Sequence, residues 1–449
     1  MRPVLRTILA SLVATALVVP AAGSAHARTR EGPDAVLAWN AVATSATVAA
    51  CFSPGADGNP IAESRLFAMT QVAVHDALNG IRHRYQPYAA RLSAWSKAAP
   101  DAAIAAAAHG VLVPGLAELS TFLPASCIDA GTAVVEEAYT AALAAIPDGR
   151  AKAAGVGVGR QAAAAIRELR AHDGSDTLLQ DTGYPQGTEP GAYHFTPGTP
   201  FAFAPGWADV TPFVLRDGAQ YRPGPPYPVT SRRYAADVAE VQRLGGDGVT
   251  TPSDRTAEQT EIALFWVGSV PAQWNGIART VTRQRNLDPW QAARLFGLVN
   301  LAVADGYIAT FDTKYHYNFW RPVTAIRLAD TDGNPATTAD PNWTPLVTTP
   351  PVPEYDSGHS VTAAAAAAVL TGLLGRVAFA ACSGTVPDGS RCDDAHPVVR
   401  LYTSFAQASR ENQLSRIYVG FHFRDAVDTG GIHGTKIGEL TLSTSLRPS

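Results

Sequence analysis

The sequence predicts an all-α protein whose helices are separated by long irregular loops. Alanine-rich stretches with the apolar spacing of helices recur along the 449 residues, and few segments alternate as half-buried strands do. Hydrophobic residues make up 46% of the chain, enough for a sizeable core, and the length suits two or three domains or one large helical domain. The net charge of −4 offers no basic field, so we expect no nucleic-acid partner.

The first 27 residues have the pattern of a secretory signal peptide. Arg2 and Arg6 supply its positive end, residues 8–19 its apolar stretch and residues 25–27 a small-residue cleavage site. The apolar stretch is too short for a spanning helix, so we do not expect an integral membrane protein. The mature chain is predicted to begin near Arg28 and to be secreted.

Four cysteines suit the oxidising environment that a secreted chain reaches. Cys382 and Cys392 bracket a turn-rich loop that a disulfide would close, which leaves Cys51 and Cys127 to pair. Their spacings match no zinc pattern. Free buried thiols are the alternative.

Helical patterns fall into two groups along the chain. The first group covers residues 34–50, 61–85, 98–118 and 127–175. Glycine, proline and aromatic residues then dominate without any period over residues 176–228, which predicts a long ordered loop, and loops of this length are usually functional. Helices resume at Ser231 and Thr256, and a long helix is expected over residues 288–320. We therefore divide the chain into an N-terminal bundle with its loop, residues 28–230, and a C-terminal domain, residues 231–449.

The end of the long helix carries two cations beside several aromatic residues. Lys314 and Arg321 are seven residues apart, which on a helix is two turns, so both side chains would leave the same face. Pro322 then interrupts the helix. Two cations on an apolar wall need a buried anion, because an unpaired buried charge is very costly. Ordinary structural salt bridges are the alternative.

A proline-rich segment leads into Ser357, Gly358 and His359, where a strongly helical alanine run begins. The free N–H groups and the dipole of a helix N-terminus attract an oxyanion. Gly358 permits close approach of the backbone, Ser357 can donate its hydroxyl, and His359 is placed to transfer a proton. Taken alone, this stretch is better explained by an ordinary N-cap with His359 incidental, because such caps are common.

A third stretch near the C-terminus contains Arg416 and His422. Six residues separate them, which would put them on different faces of one continuous helix. Gly420 lies between them and can break the helix, so that both side chains enter one site. A solvated arginine and a core histidine are the alternative.

Together the three stretches, in this order, resemble the vanadium-dependent haloperoxidase and type-2 phosphatidic acid phosphatase superfamily. The likeness covers residues 255–440, and the secreted helical format is similar to bacterial haloperoxidases. The resemblance implies a fold of two four-helix bundles. It further implies that an oxyanion, vanadate or phosphate, is bound by the matching residues, which are Lys314, Arg321, Ser357, Gly358 and Arg416. His422 would bind vanadium, or attack phosphorus in a phosphatase, and His359 would be the acid–base group.

Three positions depart from the family pattern. Asp356 stands where proline usually precedes Ser-Gly-His, and we expect its carboxylate to point away from the anion or to pair with an arginine. The phosphatase aspartate four residues after the last histidine is replaced by alanine, so either Asp425 or Asp428 could orient His422. Val352 replaces an aromatic residue or histidine of well-known haloperoxidases, which leaves the halide open.

The function implied by the resemblance is oxidation of a halide by hydrogen peroxide, followed by transfer to a small organic acceptor. Vanadate would act as a Lewis acid of constant oxidation state, and Lys314 would contribute preorganised charge. The first alternative is an acid phosphatase that needs no cofactor and forms a phosphohistidine at His422. The second is an inactive homologue that only binds the oxyanion.

Overall fold

The structure, a computed structural model, describes residues 34–52, 59–119, 123–382 and 399–449. It confirms the all-α prediction, because helices dominate and the strands form only two short antiparallel pairs in these residues. The helices are α1 (Asp34–Ala49), α2 (Pro60–Ile81), α3 (Pro100–Glu118), α4 (Ala125–Ala144), α5 (Arg150–Leu169), α6 (Arg232–Leu244), α7 (Ala257–Phe265), α8 (Val270–Gln284), α9 (Pro289–Tyr317), α10 (Pro322–Arg327), α11 (Gly358–Leu374), α12 (Phe405–Tyr418) and α13 (Arg424–Thr444). The strands are β1 (Gln180–Asp181), β2 (Ala202–Phe203), β3 (Phe379–Cys382) and β4 (Val399–Tyr402).

Helix α9 connects the two groups of helices. Helices α1–α5 pack on one another, and α9 packs against α2 on one side and against α11 and α13 on the other. Its start is well specified, because Asp288 forms a capping box with Gln291 and Pro289 occupies the first helical position. Residues Gly32–Ser449 form one compact unit. The predicted boundary at residue 230 stays a prediction.

Helices α11 and α13 approach each other unusually closely. A stripe of glycines on α13, Gly430, Gly434 and Gly438, faces the backbone of α11. A Cβ built on Gly430 would lie 2.9 Å from the carbonyl oxygen of Ser357, and Cβ atoms on the other two would collide with carbonyl groups of Val361 and Ala365. The absence of side chains in this stripe therefore sets how near α13 lies to the start of α11.

The predicted long loop is ordered and lies against the end of α9. The amide of Tyr193 donates to the carbonyl oxygen of Asn318 at 2.8 Å, and the amide of Trp320 donates to that of Gly191 at 2.9 Å. Further along, the amide of Phe203 donates to the carbonyl oxygen of Pro351 at 2.7 Å. These hydrogen bonds connect the loop to the segment that follows α9 and to the segment that precedes α11.

The cysteine predictions are met as far as the described residues reach. Cys51 and Cys127 form a disulfide that joins α4 to the segment after α1. Cys382 is also disulfide-bonded, and its predicted partner Cys392 lies outside the described residues. The predicted signal peptide, residues 1–27, lies outside them as well.

Two described helices, α3 and α9, are long and apolar enough to cross a membrane by length and composition alone. Inside the fold, 94% of the most apolar window of α9 is buried, and 56% of that of α3. Core helices of soluble proteins give the same result, so these two helices are weak indications of a membrane span.

Candidate active site

Lys314 and Arg321 reach the same cavity, but not from one continuous helix as the spacing predicted. Helix α9 ends at Tyr317 because Asn318 adopts a left-handed conformation with φ of 49°. Arg321 is instead the N-cap of α10, and Pro322 starts that helix at its first position rather than stopping α9. The two cations converge because the chain turns between them.

The prediction that Ser357, Gly358 and His359 begin a helix is confirmed. Gly358 is the first residue of α11, and Ser357 holds the N-cap position. The Ser357 side chain makes no capping bond, however, and its buried hydroxyl has no hydrogen-bond partner among the described residues. An ordinary N-cap therefore does not explain this serine.

The prediction that Gly420 separates Arg416 from His422 is also confirmed. Helix α12 ends at Tyr418, Gly420 has φ of 85°, and α13 begins at Arg424. A side chain at Gly420 would also be obstructed, because its Cβ would lie 2.7 Å from the carbonyl oxygen of Gly245. The break leaves His422 free to face the end of α12.

These elements enclose one small cavity of about 120 Å³. Six of the seven predicted residues line it: Lys314, Arg321, Gly358, His359, Arg416 and His422. Ser357, the seventh, is fully buried next to Gly358. Since one water molecule occupies about 30 Å³ of liquid, the cavity has room for a small polyatomic ligand.

Three buried cations face this cavity. Burial lowers the pKa of Lys314 well below its usual range, and the neighbouring charge of Arg321 lowers it further. Burial also lowers the pKa of Arg321 to about 10 and that of Arg416 to about 9. A bound anion would reverse the electrostatic cost that these shifts express.

The donors of the site are partly used and partly free. Lys314 Nζ donates to the carbonyl oxygens of Pro353 and Glu354, both at 2.9 Å, which leaves one of its three protons. Arg416 donates through Nη2 to the carbonyl oxygen of Trp266 at 2.9 Å, whereas its buried Nη1 has no partner in the described residues. Together with the free Ser357 hydroxyl, these atoms fit a tetrahedral oxyanion.

Glu354 is the site residue that the sequence prediction missed. Its carboxylate Oε1 lies 3.0 Å from Nδ1 of His422. Neither expected carboxylate has this role: Asp425 accepts from the amide of Tyr227 at 3.2 Å, and Asp428 pairs with Arg410 at 2.5 Å. Burial raises the pKa of Glu354 to about 8, and nearby Lys314 partly offsets this increase. Its position in a proline-rich apolar segment was the available signal, because a buried carboxylate needs a partner.

The predicted acid–base residue, His359, lines the cavity. Its Nε2 is 3.3 Å from the carbonyl oxygen of Gly268, so this nitrogen carries the proton in the neutral ring. Burial lowers the pKa of His359 well below its usual range, and the charge of Arg416 adds to the effect. The ring is therefore neutral at neutral pH.

A larger cavity of about 460 Å³ lies elsewhere, between α2, α3 and the segment after α5. Its charged lining includes Arg65 and Arg170, both of which bind the carboxylate of Asp173 at 2.8 Å. The smaller cavity is the candidate active site, because its three cations form no ion pair within the described residues, whereas Arg65 and Arg170 do.

Comparison with known proteins agrees with this geometry. The model of the VCPO second helical-bundle domain matches residues 294–448, which include every site residue named above. Residues 294–448 are therefore similar to the second helical-bundle domain of vanadium haloperoxidases. A vanadium chloroperoxidase from Curvularia inaequalis is 27% identical over 40% of this chain, and the match spans 38% of that relative's own length.

Two bacterial members of the superfamily have similar solved structures. A vanadium-dependent iodoperoxidase is 26% identical, with a TM-score of 0.73 over 93% of this chain and 98% of its own. The holo form of a vanadium-dependent chloroperoxidase is 18% identical, with a TM-score of 0.65 over 87% of this chain and 92% of its own. The second likeness concerns the fold alone.

Asp356, which departs from the superfamily pattern, is directed away from the cavity lining. Its carboxylate accepts from the hydroxyl of Thr310 at 2.7 Å and contacts Nδ1 of His433 at 2.8 Å. Of the two predicted alternatives, the structure shows the carboxylate directed away from the anion site, with a threonine of α9 and a histidine of α13 as partners and no arginine. Both carboxylate oxygens are engaged, so the charge does not oppose an anion directly.

Part of the cavity lining is apolar. Val352, the position that is aromatic or histidine in well-known haloperoxidases, lines it. So do Phe203 of the long loop, Phe311 of α9 and Phe421. Apolar lining limits water around the cations and thereby strengthens electrostatic interactions inside.

Proposed function

We propose that this protein is a secreted vanadium-dependent haloperoxidase that oxidises halide with hydrogen peroxide and transfers it to a small organic acceptor. The observation that carries the proposal is that three buried cations and His422 line one cavity, beside two buried donors, Ser357 Oγ and Arg416 Nη1, that have no hydrogen-bond partner among the described residues. The likeness to proteins named as vanadium haloperoxidases supports the choice of vanadate as the oxyanion.

Each residue has a role that follows from its position. Lys314, Arg321 and Arg416 would hold the oxygens of vanadate and offset its charge, and the Gly358 amide and Ser357 hydroxyl would add hydrogen bonds. His422 would be its one protein ligand. When bound, vanadate supplies a Lewis acid that activates hydrogen peroxide toward halide without a change of oxidation state.

His359 is placed to exchange a proton at the same cavity. Its ring is neutral and its Nε2 proton is donated to a carbonyl group, so Nδ1 is the nitrogen free to accept one. The apolar part of the lining, with Phe203 and Phe311, would limit bulk water and admit a weakly hydrated halide more readily than a strongly hydrated one.

A phosphatase is the second candidate, and the pair of His422 with Glu354 favours it. A carboxylate that orients a histidine would also activate that ring as a nucleophile toward phosphorus. His359 would then protonate the leaving group. Vanadate and phosphate are both tetrahedral oxyanions, so the cations serve either reaction.

The experiment compares both activities in one preparation. Vanadate-loaded protein is assayed for peroxide-dependent halogenation of a phenolic dye with iodide, bromide and chloride separately, and vanadate-free protein is assayed with a phosphate ester. We expect halogenation and no phosphate release. His422→Ala should lose bound vanadium and halogenation, whereas the control His109→Ala, at a surface histidine paired with Glu136, should retain both.

Phosphate release without halogenation would replace the haloperoxidase by the phosphatase. If both assays are silent while vanadate still binds, the protein is an inactive oxyanion-binding homologue. Fractionation of cells that express the full chain tests export, and retention of the protein inside the cell would contradict it.

A further inference from the structure

We infer that Glu354 is a positioning residue of the site. It fixes the tautomer of His422 whose unprotonated Nε2 faces the cavity. The inference rests on the proposed function only for the ligand that this nitrogen would bind. The tautomer itself follows from the contacts of the ring.

Both ring nitrogens of His422 are constrained by their partners. Nε2 lies 3.1 Å from Nη1 of Arg321. A guanidinium only donates hydrogen bonds, so Nε2 must be the acceptor and carry no proton. A ring whose Nε2 carries no proton is neutral, because an imidazolium has a proton on both nitrogens. Its single proton consequently lies on Nδ1.

Glu354 accepts the hydrogen bond that Nδ1 of His422 donates. Its Oε1 lies 3.0 Å from Nδ1 of His422 and 2.9 Å from the amide nitrogen of Phe423. The amide can only donate, so this oxygen accepts from both groups and cannot move away from one without losing the other. The carboxylate thereby fixes the ring plane as well as the tautomer.

The backbone around Glu354 also orients the two cations nearest to His422. The carbonyl oxygen of Val352 accepts from Nε of Arg321 at 2.6 Å. Those of Pro353 and Glu354 accept from Nζ of Lys314, both at 2.9 Å. Three consecutive residues, 352–354, therefore hold a histidine, a lysine and an arginine in one mutual arrangement.

The charge and the hydrogen bond of Glu354 have opposite effects on oxyanion binding. The charge weakens it, and the hydrogen bond to His422 strengthens it for a ligand at Nε2. When ionised, its carboxylate attracts Lys314 and Arg321 and so weakens their attraction for an anion held by charge alone. Its bond to His422 strengthens only a ligand that needs the Nε2 lone pair. Phosphate that binds without reacting is held by charge alone, whereas vanadate needs the Nε2 lone pair.

The test uses two variants of the full chain and two measurements. The ¹⁵N shifts of histidine-labelled protein report the tautomer, with His422→Ala to identify the signals of that ring among the 11 histidines. Affinities for inorganic phosphate and for vanadate are measured by equilibrium dialysis. The wild type should show a protonated Nδ1 and an unprotonated Nε2 at His422.

Glu354→Ala should release the tautomer and weaken vanadate binding about 10–100-fold, the range for residues that orient a metal ligand. Phosphate affinity should stay the same or rise. Glu354→Gln keeps an oxygen at the Oε1 position, so it should retain the tautomer, lose less vanadate affinity and bind phosphate no worse than the wild type. Because glutamine is nearly isosteric with glutamate, the Glu354→Gln variant can still be measured if Glu354→Ala does not fold.

Glu240→Gln is the matched control, because it removes a carboxylate paired with Arg424 near the start of α13 without touching the cavity. It should change neither the tautomer nor either affinity. A wild-type ring protonated on Nε2, an unchanged tautomer in Glu354→Ala, or equal losses of phosphate and vanadate would each overturn the inference. A wild type that binds no vanadate would refute the proposed function, while the ¹⁵N measurement would still decide the role of Glu354.

Discussion

Replacing Ser357 by alanine separates a ligand-binding serine from a helix cap. Losing an ordinary serine cap costs about 1 kcal/mol of stability. Ser357 forms no capping bond, and its hydroxyl is buried without a partner in the described residues, so its loss should leave the free energy of unfolding unchanged or raise it slightly. A hydrogen bond to a charged ligand contributes roughly 1.5–3 kcal/mol, so oxyanion binding should weaken about 10- to 100-fold.

Denaturant unfolding with and without inorganic phosphate measures both quantities. Phosphate at a hundred times the wild-type Kd should stabilise the wild type by about 2.7 kcal/mol. The same concentration should stabilise Ser357→Ala by about 1.4 kcal/mol if its Kd is tenfold higher, and by about 0.4 kcal/mol if it is a hundredfold higher.

Ser404→Ala is the matched control, since Ser404 caps α12 and accepts from the amide of Gln407 at 3.2 Å. That variant should lose about 1 kcal/mol without phosphate and keep the full stabilisation by phosphate. If Ser357→Ala behaves like Ser404→Ala in both respects, Ser357 is a capping residue and the site has one donor fewer than we assign.

Two further predictions concern stability. The disulfide between Cys51 and Cys127 closes a loop with a sequence separation of 76, so replacing both cysteines by alanine should cost about 4.5 kcal/mol in the chain-entropy model. Unchanged unfolding of this double variant in denaturant would contradict that estimate; reduction is no substitute, because Cys382 is also bonded. Glu63 is buried and its pKa is raised to about 7 by burial, so its contribution to stability is complete below its usual pKa and is lost as the pH rises through 7. Between pH 5 and pH 8 the wild type should lose up to about 3 kcal/mol relative to Glu63→Gln, and parallel pH profiles would refute the assignment.

Much of the site could be predicted because its residues occur in short local sequence motifs. A glycine that breaks a helix is visible in the sequence, and Gly420 does turn the chain between Arg416 and His422. The start of α11 at Gly358 followed equally from the contrast between a proline-rich segment and an alanine run. Both predictions needed only backbone preferences of a few neighbouring residues.

The errors arose where the partner is distant in sequence. The orienting carboxylate was sought within a few residues of His422, whereas Glu354 lies 68 residues before it and meets it only through the packing of α11 and α13. Arg321 was placed by helical periodicity, but Asn318 takes a left-handed conformation that hydrogen bonds from Tyr184 and Tyr193 of the long loop support. Such tertiary contacts override local propensity and have no local pattern.

The glycine stripe of α13 makes the site sensitive to changes far from its chemistry. Gly430 abuts the carbonyl group of Ser357, so any side chain there would push α13 away from the residue that begins α11. Gly434 and Gly438 extend the same constraint by two more turns. In a random mutagenesis library screened for loss of function, alanine at any of these three positions would give the same loss as a change at a catalytic residue. Tolerance to substitution along α13 would therefore follow the distance between two backbones rather than the distance to the cavity.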